Sequence, residues 1–376
     1  MRELSVYIHI PFCIRKCRYC DFLSGTSSEE ERREYLALLL KEIKNQSLLY
    51  KEYQVISVFI GGGTPSILEA DAIETIIHEL KQDLTFVEEP EITIEVNPGT
   101  VTEDKLIVYR QTGINRLSIG LQTANDEELK ILGRIHDYED FCHTYEAARR
   151  AGFQNINVDL MSAIPKQTLS SYRDTLQKVL AYGPQHISAY SLILEEGTWF
   201  YEHQKELTFP GEEEDRQLYG LTGEILSQNG YNRYEISNYA REGYECLHNK
   251  VYWQRGNYVG FGLGAASMVQ EVRFSNPRDI DTYREMLGNP AIREENKCYL
   301  TREEQMEEFM FLGLRLMKGV RKEDFLQKFG VPMNSIYGEI LKKLQRQGLL
   351  LVDDSVRLTT YGIDISNYVM AQFLLT

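Results

Sequence analysis

No uninterrupted run of about 18 apolar residues occurs anywhere in the 376-residue chain, so no segment reads as a transmembrane helix. The opening stretch, Met1 to Phe12, has too short an apolar run for a secretory leader and leads directly into a cysteine cluster. Positive charge is in deficit: 41 Lys and Arg against 56 Asp and Glu give a formal charge of −15. Such a surface repels phosphate backbones, which excludes nucleic acid as a general partner. Cysteine is scarce too. Six cysteines without a leader fit a reducing compartment, and a cytoplasmic chain is expected.

The composition that remains, 43% hydrophobic and 26% charged, is that of an ordinary soluble globular protein. Its length exceeds the roughly 250–300 residues at which one core stops growing, so more than one domain is expected. The first half repeats one pattern: a short β-branched run, a polar or glycine-containing turn, then apolar residues at helical spacing. Strands are expected at Val6–Ile10, Val55–Ile60, Ile92–Val96, Arg116–Ile119, Ile156–Leu160 and Ile187–Leu192. Amphipathic helices lie between them at Glu29–Leu49, Glu69–Leu80, Glu103–Gln111, Tyr138–Arg150 and Ser170–Ala181. This alternation implies parallel βαβ units and an α/β fold class, a partial (β/α)6 barrel over residues 1–195. No low-complexity segment and no other repeat is present.

Residues 196–290 read as an irregular, aromatic-rich segment that completes the side of the barrel. It contains His248-Asn249-Lys250-Val251-Tyr252-Trp253 and then Gly260-Phe261-Gly262-Leu263-Gly264-Ala265. That glycine run suits close backbone approach. Without a clear strand–helix context it is not a dinucleotide fingerprint. Residues 291–376 are expected to form a winged-helix-like α+β domain. Its helices fall at Arg302–Met317, Lys322–Phe329 and Ser335–Gln347, its strands near Leu349–Val352 and Val356–Leu358, followed by a final helix. Asp353 and Asp354 in the wing oppose the phosphate contacts that Lys342, Lys343 and Arg346 would offer, so a packing or lid module is expected.

The most informative feature is Cys13-x3-Cys17-x2-Cys20. Thiolates this close in sequence converge only on a compact metal centre. Three of them, with no evident fourth partner, suit a [4Fe–4S] cluster with one iron left open, unlike the ferredoxin patterns that supply four. A closed zinc site would need a fourth ligand, for which His9 is available. A disulfide reading leaves one cysteine over and needs an oxidising compartment. Cys142, Cys246 and Cys298 are scattered and read as small buried hydrophobes.

Other distinctive residues fall where the cysteines do, after successive strands: Gly61-Gly62-Gly63-Thr64-Pro65, Glu95-Val96-Asn97-Pro98, Gly120-Leu121-Gln122 and Asp159. Barrels collect their chemistry at that end. Here the chain resembles the radical S-adenosylmethionine (SAM) superfamily and, over nearly its whole length, that superfamily's coproporphyrinogen oxidase–like branch. The resemblance implies that the SAM amino and carboxylate groups chelate the open iron. It implies SAM contacts from Tyr7, Tyr19, the glycine turn Gly62, Gly63 and Thr64, and from Glu95, Gln122, Arg134 and Asp159. In such proteins a reduced cluster passes one electron into the sulfonium, which yields a 5′-deoxyadenosyl radical; the cofactors do this chemistry. No residue is singled out as catalytic.

The branch contains an oxygen-independent oxidase that decarboxylates coproporphyrinogen III and a group of heme chaperones. Three features point to the chaperones. Phe22 stands where the oxidase usually carries another cysteine, only twelve residues precede Cys13, and His248-Asn249-x-x-Tyr252-Trp253 resembles a chaperone motif. The resemblance then implies heme as a ligand, His248 as a candidate axial ligand to its iron, and Tyr252 and Trp253 near the ring. It also implies delivery to apo-hemoproteins of the respiratory chain, with peripheral membrane association during delivery. An electron donor such as flavodoxin or ferredoxin and a homodimer belong to the same expectation.

Overall fold

Leu4, Val6, Ile8 and Ile10 are fully enclosed in one apolar layer with the flanking helices, while Ser5, Tyr7 and His9 between them face the other way. This two-residue alternation recurs along the sheet of the computed structural model, which describes residues 1–289 and 291–375. The limit expected at residue 290 and the terminal residue 376 lie outside the described residues.

The six expected strands all form: β1 (Arg2–Ile10), β2 (Tyr53–Gly62), β3 (Thr85–Val96), β4 (Arg116–Gln122), β5 (Asn155–Ser162) and β6 (His186–Ser191). They pair in parallel in that order. The helices between them are α1 (Glu29–Ser47), α2 (Ala70–Asp83), α3 (Glu103–Thr112), α4 (Asp126–Leu132), α5 (Tyr138–Arg150) and α6 (Leu169–Tyr182). Ile92, Ile94 and Val96, then Leu117, Ile119 and Leu121, then Ile156, Val158 and Leu160 join that apolar layer. The alternate positions carry Glu91, Glu95, Arg116, Ser118, Asn157 and Asp159. The sheet is therefore apolar toward its helices and polar within, unlike a sheet packed between two helical layers.

Residues 196–290 are more regular than expected. They supply α7 (Trp199–Glu202), α8 (Glu212–Gln228), the short strands β7 (Asn232–Arg233) and β8 (Asn238–Ala240), and α9 (Leu247–Trp253). β9 (Tyr258–Phe261) then pairs in parallel with β1, Ser5 beside Tyr258 and Ile8 beside Phe261. β10 (Ala266–Val269), β11 (Val272–Ser275) and β12 (Cys298–Tyr299) extend that edge antiparallel. The glycine run begins inside β9 and continues as the turn after it. Gly262 has φ +99°, and a Cβ there would lie 2.7 Å from the His9 carbonyl oxygen.

The C-terminal part has its own core around Met310, Leu314, Phe325, Tyr337, Leu341 and Phe373. Its first helix stops at Gly313, short of the expected Met317. A third strand, Val320–Arg321, joins Leu350–Val352 and Ser355–Leu358 in a small antiparallel sheet. The α/β barrel with a winged-helix-like α+β C-terminal domain is the architecture of the chain.

Candidate cofactor site

The cysteine loop leaves β1 and is held from several sides. Cys13 N–H donates to Gly25 O at 2.8 Å, and Gly25 N–H returns to Pro11 O at 2.9 Å. Arg18 N–H donates to Leu132 O at 3.0 Å, and Arg18 O accepts from Phe200 N–H at 3.0 Å. Arg15 reaches Gly133 O and Arg134 O at 2.7 and 2.9 Å. Loop conformation is thus fixed by the ends of β1 and α4 and by α7.

Glycine is required beneath this loop. Gly62 has φ +118°, and an added Cβ would stand 2.7 Å from the His9 ring. At Gly63 a Cβ would lie 2.6 Å from Phe12 O and 2.9 Å from Cys13 Sγ. Gly63 N–H donates to Ile10 O at 2.8 Å and Thr64 N–H to Phe12 O at 2.7 Å. The turn after β2 therefore touches the first cysteine directly.

A chain of contacts links two of the thiols. Thr64 Oγ1 lies 3.6 Å from Cys13 Sγ and accepts from Asn97 Nδ2 at 2.8 Å. Asn97 Oδ1 accepts from Arg134 Nη2 at 2.6 Å, and Arg134 Nη1 lies 3.6 Å from Cys17 Sγ. Arg134 also donates to Gly120 O at 2.5 Å. Cys17, Thr64, Asn97 and Arg134 line a small crevice of about 20 Å³. Asn97 was not among the residues expected at the site; its sign in the sequence is its place after β3, two residues beyond Glu95.

Cys20 N–H donates to Cys17 O at 3.3 Å, and burial, with Cys17 and Cys13 nearby, pushes its thiol above the usual range. Among the described residues no group of three or more His, Cys, Asp or Glu side chains is arranged to hold a metal ion. His9 is not free as a fourth zinc ligand. Its Nε2 lies 2.8 Å from Leu23 O and its Nδ1 3.0 Å from the Tyr7 hydroxyl.

Glu95 and Asp159 are half-buried carboxylates inside the barrel, with no salt bridge among the described residues. Glu95 accepts from Gly62 N–H at 3.0 Å. Desolvation, reinforced by Asp159, raises its pKa to about 8. Asp159 accepts from Asn157 Nδ2 at 2.8 Å and Ser118 Oγ at 3.1 Å, and desolvation raises it as well. Gln122 sits at a register shift between β4 and β5 with φ +74°. Tyr19 is half-buried and packs with Leu132, Met161 and Phe200 in a satellite core under the cysteine loop.

Tyr7, Gly62 and Glu95 open on a second, larger cavity of about 450 Å³, with Phe22, Tyr252, Tyr258 and Arg278 also on its walls. Of the expected SAM residues, Thr64 and Arg134 line the crevice and Tyr7, Gly62 and Glu95 the larger cavity, while Tyr19, Gly63, Gln122 and Asp159 line neither.

His248 is buried behind Tyr252. It is 1% exposed. Nδ1 is 2.9 Å from Ser57 Oγ, and Nε2 is 2.8 Å from the Tyr252 hydroxyl. Burial lowers its pKa to about 3. Both ring nitrogens have partners, so the histidine bridges Ser57 and Tyr252, and the axial role expected of it toward a heme iron would require one of these hydrogen bonds to be exchanged. Glu91 fixes the start of α9 by accepting from Leu247 and His248 N–H at 3.0 Å each. Trp253 turns away, its ring 4.3 Å beneath the Arg315 guanidinium of the C-terminal domain. Of the aromatic pair only Tyr252 reaches the cavity.

Comparison with known proteins agrees with this geometry. Residues 7–179 match the Radical SAM superfamily model, and residues 300–365 match the HemN C-terminal domain. The heme chaperone HemW of Lactococcus lactis is 35% identical over 99% of this chain and 97% of its own length. That of Escherichia coli is 32% identical over 99% and 98%. The solved structure of the E. coli coproporphyrinogen III oxidase HemN, a radical SAM enzyme, superposes with a TM-score of 0.87 at 25% identity, covering 100% of this chain and 90% of that one. The chain belongs to the HemW family of radical SAM proteins.

Proposed function

We propose that this chain is a heme chaperone on a radical-SAM scaffold: it binds heme, a [4Fe–4S] cluster and SAM, and passes heme to apo-hemoproteins of the respiratory chain. The observation that carries the reading is end-to-end likeness to heme chaperones together with a cysteine loop tied through Thr64, Asn97 and Arg134. Cys13, Cys17 and Cys20 hold the cluster in this reading, and Tyr7, Tyr19, Gly62, Gly63, Thr64, Glu95, Gln122, Arg134 and Asp159 form the SAM pocket.

The residues fit those groups. A Cβ at Gly63 would fill the space against Cys13 Sγ. Glu95 and Asp159, which form no salt bridge among the described residues and feel only the more distant charge of Arg116, suit a ligand that brings an ammonium and hydroxyl donors. Arg134 keeps its Nε without a hydrogen-bond partner beside Cys17. When bound, the cluster and SAM supply one-electron chemistry. The protein's part is to hold the thiols, to orient SAM with the two carboxylates, and to exclude water behind the apolar outer layer.

The acidic chain works in the cytoplasm, meets the membrane only peripherally when it delivers heme, draws electrons from a flavodoxin- or ferredoxin-like donor, and assembles as a homodimer. The fold shared with the oxidase favours a second reading, decarboxylation of coproporphyrinogen III. Phe22, 60% exposed at the cavity wall, argues against it, because the oxidase usually carries a cysteine there. Hemin titration of the cluster-reconstituted chain, run beside a coproporphyrinogen decarboxylation assay with SAM and a reductant, decides. Stoichiometric heme binding without decarboxylation is expected. Decarboxylation without heme binding would hand the chain to the oxidase reading.

A further inference from the structure

We infer that the cysteine loop and the turn after α4 together form the docking face for an acidic one-electron carrier protein. This rests on the reading of the chain as a cluster-bearing radical-SAM protein and names the surface on which its electron donor sits.

Charge singles this face out. The chain carries −15 overall, yet Arg15, Lys16 and Arg18 stand together between Ile14 and Phe22, with Asp21 the one carboxylate in that stretch. All three cations are exposed, and none forms a salt bridge among the described residues. Their side chains are nonetheless held, by carbonyl oxygens that bear no formal charge. Arg15 donates to Gly133 O at 2.7 Å and Arg134 O at 2.9 Å, Arg18 Nη1 to Ile131 O at 3.2 Å, and Lys16 Nζ to Phe22 O at 3.1 Å. The Arg18 guanidinium also lies 4.4 Å from the centre of the Trp199 ring. The cations are thus ordered but not neutralised, so less side-chain freedom is lost when a partner's carboxylates arrive. Lys130, on the neighbouring α4, differs: it is already paired with Glu127 at 2.7 Å.

Apolar surface lies among these charges. Ile14 is 53% exposed and Ile135 51%. The bonds from Arg15 and Arg18 to residues 131–134 bring the two segments together, and both isoleucines line the crevice shared with Cys17 and Arg134. Apolar centre and charged rim are the anatomy of a protein interface. The crevice, at about 20 Å³, has room for about one water. Neither SAM nor a porphyrin enters there. A protein seated over Ile14 and Ile135 is nevertheless separated from Cys17 only by the loop itself. Ligands therefore use the larger cavity, and the electron comes through the loop. In the transfer the carrier is oxidised by one electron and the centre on the three thiolates is reduced by one. No bond forms or breaks, and no proton moves.

The test uses the full chain with its cluster reconstituted and an acidic flavodoxin as the probe. Calorimetry at several salt concentrations measures binding. Stopped-flow absorbance follows cluster reduction by flavodoxin hydroquinone and, separately, by dithionite, which is too small to need a docking face. Lys16→Glu should bind flavodoxin about tenfold more weakly at low salt, with a flatter salt dependence. Ile135→Glu should also bind more weakly. Both should be reduced more slowly than wild type by flavodoxin and equally fast by dithionite, with iron content and hemin uptake unchanged. Lys342→Glu, the same charge change on an exposed helix of the C-terminal domain, should bind as wild type does. Wild-type affinity in both loop variants, or no flavodoxin binding by wild type, overturns the inference and leaves the heme-carrier reading standing. Self-association of wild type that both variants lose, without flavodoxin binding, would assign the face to a second copy and overturn it too. A chain that takes up no iron with its three cysteines intact would sink the radical-SAM reading and this inference with it.

Discussion

Arg134 and Asn97 are joined by a 2.6 Å hydrogen bond from Nη2 to Oδ1, and through it a residue beyond α4 is locked to the end of β3. Asn97 in turn donates to Thr64, so one amide connects the neighbours of Cys13 and Cys17. Replacing it by leucine takes one acceptor from a charged donor that keeps only Gly120 O, at a cost of about 1–3 kcal/mol. Asn97→Leu should lose its reconstituted iron several-fold faster in air than wild type. Asn97→Asp, which keeps the acceptor for Arg134 but not the donor to Thr64, should fall between them. Equal iron retention in all three proteins would show that the cysteine loop does not depend on this connection.

Gly62 tests whether the turn after β2 is needed for its backbone shape or for its closeness to its neighbours. A positive φ alone makes a glycine-to-alanine change cost about 1–2 kcal/mol. Gly152, with φ +93° and no atom within 4 Å of an added Cβ, gives that backbone cost by itself. Gly62→Ala must additionally displace the His9 ring and thereby disturb its bonds to Tyr7 and Leu23. Denaturant unfolding should show the Gly62 variant losing more stability than Gly152→Ala. Matching losses would mean that crowding at the turn is relieved without cost.

How much of this was legible in the sequence depends on what each residue type reveals without its neighbours. The six strands announced themselves because Val, Ile and Leu recur at every second position and turn residues bound them. β9 did not: four residues, Gly260 among them, carry too little pattern, and its strand nature comes from pairing with β1. Val320–Arg321 is shorter still. Around the site, the cysteine spacing and the glycine turn could be read directly. Asn97 could not, since an amide after a strand is also an ordinary turn residue. The partners of His248 were hidden for a related reason: nothing in the sequence tells whether an imidazole's two nitrogens already have partners, and here Ser57 and Tyr252, on separate elements, occupy both. Arg116, enclosed in the barrel with its Nε unpartnered, is a further interior charge that the strand pattern alone left looking like a strand start.

Glu95 should give the protein a measurable pH dependence. Desolvation and the nearby Asp159 carboxylate raise its pKa from 4.5 to about 8, against the smaller opposing pull of Gly62 N–H and Arg116. Between those values the folded chain keeps a proton that the unfolded chain has released. Its contribution to stability is therefore fully present below the lower value and is lost as pH rises through the upper one. Glu95→Gln removes this loss, so its stability relative to wild type should improve steadily from pH 5 to pH 8 in denaturant titrations. A cationic ligand ionises the carboxylate on binding. SAM calorimetry at pH 7 in buffers of different ionisation heat should then read proton release approaching one per SAM, absent in Glu95→Gln. A wild-type binding heat that ignores the buffer would separate Glu95 from the ligand.

Glu42 offers the largest expected loss of stability away from the site. Fully buried on α1, it accepts from Gly262 N–H at 2.8 Å, Asn276 Nδ2 at 2.8 Å, the Tyr283 hydroxyl at 2.6 Å and Arg293 Nη2 at 2.5 Å. Burial raises its pKa, and the Arg293 charge and these donors offset only part of that rise. The carboxylate gathers the turn after β9, the residue beyond β11 and the segment at 291–295 onto one point. Removing it leaves Arg293 as an uncompensated buried charge, which costs about 3–5 kcal/mol. Glu42→Ala should therefore lower the unfolding midpoint sharply. Glu42→Gln, which keeps the acceptor oxygen but not the charge, should recover part of the loss. The turn after β9 also rests against Tyr35 and His9, so the same variants should loosen the cavity wall at Leu263 and Gly264. Amide hydrogen exchange of residues 258–266 reads this directly: faster exchange in Glu42→Ala with β4 to β6 unchanged is the expected pattern. Uniform acceleration across the whole sheet would instead mark Glu42 as a support of the barrel at large.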